Sequence, residues 1–187
     1  GGRREWMRIP PMEPPRQRFT LASSWAMARD PALRALRIIS AVREVNALKP
    51  DVVVLTGDFV TTRRDPVDRV QQLLEPLEAP SFAVLGNHDH WSHPKELRRA
   101  LEKNGTAVLQ NENSSIRLRA AELRIIGIDD STTRHHDVST AFQGAAGGSR
   151  LVLTHTPACA AQLPVDAGLL CLSGHTHGGQ WEIPGVT

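Results

Sequence analysis

Four short polar clusters carry the chemistry of this sequence, and each directly follows an apolar run. VVVL-TGD supplies Asp58, FAVL-GNHD supplies Asn87, His88 and Asp89, LVLT-H supplies His155, and LLCL-SGHTH supplies His175 and His177. A carboxylate, an amide oxygen and three imidazoles form a mixed oxygen and nitrogen set without thiolate. Such a set suits Mn²⁺, Fe or Zn²⁺ better than Ca²⁺ or a closed structural zinc. An Asp carboxylate can bridge two cations, whereas an Asn oxygen binds one and adds no charge. Imidazole, with an ordinary pKa of about 6.5, can hold or release a proton near neutrality, which suits a histidine such as His88 to general acid work. Asp89, its neighbour, is expected to favour the imidazolium form. Singly, each of these residues could be an ordinary turn or surface residue. Together, GNHD and GHTH put His, Asn and Asp where turn chemistry requires none of them, which points to a metal-centred site.

Residues so far apart in sequence can meet only if the chain returns them to one edge. In α/β sheets, ligands collect beyond the carboxyl ends of the strands, which is where all four clusters stand. Asp30-Pro31 opens a helix stopped at Lys49-Pro50, with the apolar stripe Leu33, Leu36, Ile39, Val42 and with Ile38 and Val45 beside it. Strands are predicted at 18–22, 51–55 and 82–85, and helices over 67–77 and 94–104 with Gly105 as the stop. Val108-Leu109, 115–119 and 123–128 read as an antiparallel ribbon, followed by strands at 150–153 and 169–172. Strands alternating with helices, then several strands together, make an α/β fold of layered mixed sheets.

Composition narrows the function classes. The chain has 187 residues, 40% hydrophobic and 22% charged, with 22 Lys+Arg against 20 Asp+Glu. That is too apolar and too balanced for a disordered chain, and the net charge of +2 gives no basic field that implies nucleic acid. No apolar run approaches the roughly 18–20 residues of a membrane-spanning helix. Residues 1–18 form an Arg/Pro-rich extended arm, and 19–187 read as a single domain. The arm's five Arg allow contact with an anionic membrane surface, with no amphipathic helix to support it. Arg3-Arg4 is followed by no apolar segment, so a cytoplasmic location is the expectation. Cys159 and Cys171 have no disulfide or thiolate-metal spacing, and Cys171 reads as a buried inert thiol.

The four motifs, in this order and spacing, resemble the calcineurin-like metallophosphoesterases, closest to the bacterial phosphodiesterase-like subgroup whose last motif is GHTHGGQ. The likeness runs from about Asp30 to Pro184. It implies an α/β/β/α sandwich of two mixed sheets flanked by helices, around a centre of two divalent metal ions. By that resemblance Asp58 bridges the ions, Asn87, His155 and His175 complete one shell, and His177 belongs to the other. His88 stands beside the substrate with Asp89 orienting its ring. The implied activity is hydrolysis of a phosphate mono- or diester by attack of a metal-bound hydroxide. Asp129-Asp130 also resembles the subgroup, although a turn explains it equally well.

One departure matters. The family's first motif, Asp-x-His, supplies two further ligands, and here Ser24 and Ala26 stand in those positions. The second ion is therefore expected to be weak or absent, and the domain reads as incomplete at both ends. A second function stays open on the same ground: a catalytically dead phosphoesterase fold that binds a protein partner. The run from His88 to His93 has Ser92 where a metallo-β-lactamase would need Asp, so that match is rejected. His90 and Trp91 either line the cleft or pack, and His135-His136-Asp137 reads as a solvated loop.

Overall fold

The computed structural model describes residues 19–22, 31–146, 148–164 and 169–176. The arm at 1–18, Ser24, Ala26 and His177 lie outside the described residues. The chain runs β1 (Phe19–Ala22), α1 (Pro31–Leu48), β2 (Val52–Leu55), α2 (Val67–Leu74), β3 (Ser81–Ala83), α3 (Asn87–Trp91), α4 (Pro94–Lys103) and β4 (Thr106–Val108). Then come β5 (Glu112–Leu118), β6 (Ala121–Ile128), α5 (Val138–Ala141), β7 (Ser149–Thr154), a 3₁₀ turn over Pro157–Gln162, and β8 (Leu169–Ser173). Two four-stranded sheets result, in the orders β1-β2-β3-β4 and β5-β6-β7-β8. The described strands of the first sheet all run parallel. In the second, β5 is antiparallel to β6, whereas β6, β7 and β8 run parallel.

The layers follow from side-chain alternation. In β2, Val53 and Leu55 pack with Ile38 and Val42 of α1, Val70 and Leu74 of α2, and Leu97 and Leu101 of α4. Val52 and Val54 point the other way and meet Ile125, Leu151 and Leu153 of the second sheet. Successive strand residues face opposite sides, so a strand covered on both faces must be apolar throughout, and VVVL is. Each such side chain contributes about 1.5–3 kcal/mol when fully buried. On the far side of the second sheet, Ile126, Ile128 and Val152 are covered by Ala141, Ala145 and Cys159. Two sheets flanked by helices is thus the observed architecture.

Three sequence expectations are corrected. The buried stripe of α1 is Ala35, Ile38, Val42 and Val45, while Leu33 and Leu36 stay exposed; the inward face is rotated from the predicted one because the sheet lies beneath Ile38 and Val42. Val108 belongs to β4, paired in parallel with β3, and not to the antiparallel ribbon, which is β5 and β6 alone. Cys159 is the fully buried thiol; Cys171 is only half-buried, and burial pushes its thiol above the ordinary range.

Candidate metal centre

The carboxyl ends of β2 and β3 in one sheet, and of β7 and β8 in the other, lead into the four polar clusters. Leu55 is followed by Thr56-Gly57-Asp58, and the chain beyond β3 reaches Gly86-Asn87. Val84 still donates to the Leu55 carbonyl at 3.0 Å, so both turns leave the sheet side by side. Gly57 has φ +90°, and a Cβ there would lie 2.5 Å from the Gly86 nitrogen. A Cβ on Gly86 would collide with the Asp58 carboxylate. Only glycines allow two backbones to come this close. Asp58 (φ 60°) and His175 (φ 64°) themselves adopt the left-handed conformation, uncommon outside glycine and found where a site demands it.

The side chains converge. His155 Nε2 lies 3.0 Å from Asn87 Oδ1 and 3.3 Å from Asp58 Oδ2. His175 Nδ1 lies 3.2 Å from both Asn87 Oδ1 and His155 Nε2. Ligand atoms of Asp58, His155 and His175 all fall within 4.8 Å of one another. Asp58, Asn87 and His155 are buried and His175 is half-buried. The His155 ring is oriented by Nδ1, which meets the Thr56 carbonyl oxygen at 2.6 Å. A neutral ring must keep its proton there, which turns a bare Nε2 lone pair toward two oxygens and a second imidazole nitrogen. Lone pairs facing lone pairs repel unless a proton or a cation lies among them. Burial alone would lower the basicity of His155, but its hydrogen bond to Asp58 and the carboxylate's charge hold it above the ordinary imidazole value. The set therefore fits a divalent cation: one charge, an amide oxygen and two imidazoles directed at one point, the histidine fixed through its other nitrogen as metal-bound imidazoles usually are.

The family model for calcineurin-like phosphoesterases matches residues 30–179. The chain belongs to that family. It is 37% identical over 142 residues to an uncharacterized metallophosphoesterase, YkoQ of Bacillus subtilis, an alignment covering 72% of this chain and 52% of the relative. It is 31% identical over 142 residues to the phosphodiesterase YaeI of Escherichia coli, covering 73% of this chain and 52% of that protein. This chain thus spans about half the length of these two relatives. Among solved structures, the 5'-nucleotidase precursor of Thermus thermophilus shares the fold, with a TM-score of 0.54 at 16% identity over 76% of this chain and 36% of that one.

One expectation for this calcineurin-like phosphoesterase needs correction. Asp89 does not orient the His88 ring. Its Oδ2 accepts the backbone N–H groups of Asp58 (2.8 Å) and Gly86 (2.9 Å), and its Oδ1 that of Val60 (3.1 Å). Asp89 is fully buried and staples the two metal-bearing turns together, as a short carboxylate must when its neighbours are unsatisfied amides. Burial, together with the nearby Asp58 charge, pushes its carboxyl up to about 7 against the pull of those donors. The His88 ring is instead held by a backbone carbonyl: Nδ1 meets Thr61 O at 2.8 Å, while the His88 N–H donates to Asp58 Oδ1 at 3.1 Å. The His155 ring is likewise held by a backbone carbonyl, that of Thr56.

Several residues at the site were missed or left undecided. His90 is no cleft residue: its Nε2 lies 2.6 Å from Asp129 Oδ1, both side chains about 5% exposed, and its ring stacks on His135 with centroids 4.2 Å apart. Burial alone would lower His90 and raise Asp129, but their mutual hydrogen bond and charges move each the other way. Asp130 is equally buried and holds the Thr156 hydroxyl at 2.8 Å and the Thr133 N–H at 2.7 Å, which fixes the chain just past His155. The pairing of Asp129 and Asp130 was the only sequence signal for this cluster. Trp91, half exposed, stands edge-on to His88 at 5.3 Å.

Proposed function

We propose that the protein hydrolyses a phosphate mono- or diester with the help of divalent cations, Mn²⁺, Fe or Zn²⁺, held where Asp58, Asn87, His155 and His175 meet. The observation that supports this reading is their convergence, with Nε2 of His155 turned into the cluster by the Thr56 carbonyl. Those four residues would hold one cation; Asp58 and His177 alone would be left to a second, whose site would be weak. Bound cations lower the pKa of a water toward 7 and neutralise phosphoryl charge. His88 supplies the proton. Its Nδ1 is committed to Thr61 O, so Nε2 is the ring atom that can protonate the leaving oxygen, a contribution of about 10²–10⁴-fold. Loss of that proton leaves the neutral tautomer with Nδ1–H, the form that the Thr61 carbonyl favours. Asp89 binds no substrate; it keeps the Asp58 and Gly86 turns in register.

Metal analysis of the purified protein, followed by hydrolysis of diphenyl phosphate, whose phenolate needs the proton, with added Mn²⁺, tests the reading. One tightly held ion per chain and hydrolysis that collapses in Asn87→Ala and His88→Ala are expected. A chain that takes up no metal, or a His88→Ala variant as active as the parent, overturns it. A loaded but inert chain would support the non-catalytic scaffold.

A further inference from the structure

The carbonyl that holds His88 belongs to Thr61, in a segment of bends and turns between Asp58 and α2. Something must orient that carbonyl, because an irregular loop has no hydrogen-bonded ladder to do so. Asp65 is placed for it. Its Oδ2 accepts the N–H of Thr61 at 2.7 Å and the N–H of Thr62 at 3.0 Å. The same oxygen accepts from Arg34 Nη1 on α1 at 2.8 Å, with the two side chains only 13% and 19% exposed.

The Thr62 N–H and the Thr61 C=O are two ends of one planar trans peptide unit, and they point in opposite directions. Fixing the N–H on Asp65 therefore aims the C=O the other way, at His88 Nδ1. A charged acceptor at one end also polarises the unit and strengthens the carbonyl as an acceptor at the other. The loop is braced elsewhere: Arg63 Nε donates to the Trp91 carbonyl at 2.6 Å, and His93 Nε2 lies 3.2 Å from the Arg63 carbonyl. Those contacts tie the loop to the turn after His88, while the Asp65 carboxylate acts on the Thr61–Thr62 peptide itself.

We infer that Asp65, anchored by Arg34, is a positioning residue for the general acid His88, acting through the Thr61–Thr62 peptide. The inference rests on the proton-donor role given to His88 above. The Asp65 carboxylate accepts from Arg34 and from the Thr61 and Thr62 amides, and none of these is a cation ligand or part of the His88 ring. Its loss should therefore fall on proton delivery and not on cation or substrate binding.

Leaving-group dependence separates these. A nitrophenolate leaves without protonation, whereas a phenolate needs it. In Asp65→Ala, kcat for diphenyl phosphate with Mn²⁺ should drop about 10–100-fold with KM unchanged, since small misplacement of a catalytic group costs that much. For bis(4-nitrophenyl) phosphate the drop should stay below about 3-fold. His88→Ala should show the same selectivity, and the double variant should lose no more than His88→Ala alone. A readout independent of turnover accompanies this: in ¹⁵N-histidine-labelled protein, the His88 Nδ1–H resonance should be visible in the parent and lost to exchange in Asp65→Ala. Equal losses on both esters, losses additive with His88→Ala, or an unchanged His88 ring signal would each overturn the inference. If His88→Ala shows no leaving-group selectivity, the acid role of His88 fails instead, and the ring signal alone decides whether Asp65 positions it. Should Asp65→Ala not fold, Asp65→Asn, which keeps an oxygen for the loop amides but loses the charge, is measured in its place and must show the same selectivity at a smaller size.

Discussion

The two halves of the metal rim are built differently. The half from the first sheet, Asp58 and Asn87, is fixed by the protein's own hydrogen bonds: Gly57 and Gly86 pack turn against turn, and the Asp89 carboxylate ties three backbone amides across them. In the half from the second sheet, the His155 ring is held through the Thr56 carbonyl, and His175 is half-buried. His175 Nδ1 lies 3.2 Å from both Asn87 Oδ1 and His155 Nε2, an arrangement that gains from a cation. On the proposed reading, the first sheet supplies a half-site braced by the Asp89 hydrogen bonds, and the second supplies two imidazoles that a cation would hold.

Breaking the rigid half should cost the fold. Asp89→Ala leaves three buried amides without an acceptor and is expected to lower unfolding free energy by about 3–5 kcal/mol in urea denaturation, metal present or not. A loss under 1 kcal/mol would mean that the turns hold themselves. Breaking the other half should cost binding. His155→Ala is expected to weaken Mn²⁺ by about 100-fold or more by titration calorimetry, close to 2.7 kcal/mol, with a smaller change in the stability of the metal-free chain.

Adding the cation sharpens the contrast. Mn²⁺ at ten times its dissociation constant should stabilise the chain by about 1.4 kcal/mol. Hydrogen exchange should slow mainly in the segment from His155 to Thr176, with little change from Gly57 to Val60, where the Asp89 hydrogen bonds already protect the amides. Uniform slowing would erase the distinction. The smallest effect concerns the edge of the rigid half. Burial would raise the Asp65 carboxyl, but the Thr61 and Thr62 amides and Arg34 hold it below the ordinary carboxylate value. A depressed carboxyl stabilises the fold above the unfolded-state value of 3.8 and loses that contribution as pH falls through its folded value. Acid titration of stability should therefore flatten below about pH 4 in Asp65→Asn, by about 0.5–1 kcal/mol after solvent screening.

Much of this was legible because the first-order signals are local. VVVL, SFAVL and LVLT announce strands covered on both faces, and the polar residues after them mark strand ends whatever the layer order. The stripe of α1 was misjudged because Leu33, Leu36, Ile38 and Val42 offer two overlapping apolar faces, and only the sheet beneath chose between them. Asp89 was misassigned for a related reason. Adjacency to His88 suggested a partner, but residues next to each other at the start of a helix point apart, and the unsatisfied amides of the Asp58 and Gly86 turns lay within its reach.

The sequence alone determined which groups could bind a cation and that each would follow an apolar strand, since residue type and alternation are properties of short segments. Tertiary structure alone decided how those groups are held. Thr56, Thr61 and Asp65 act through backbone carbonyls and amides, which every residue possesses and no motif distinguishes. Their roles arise only when two turns and a loop meet in space.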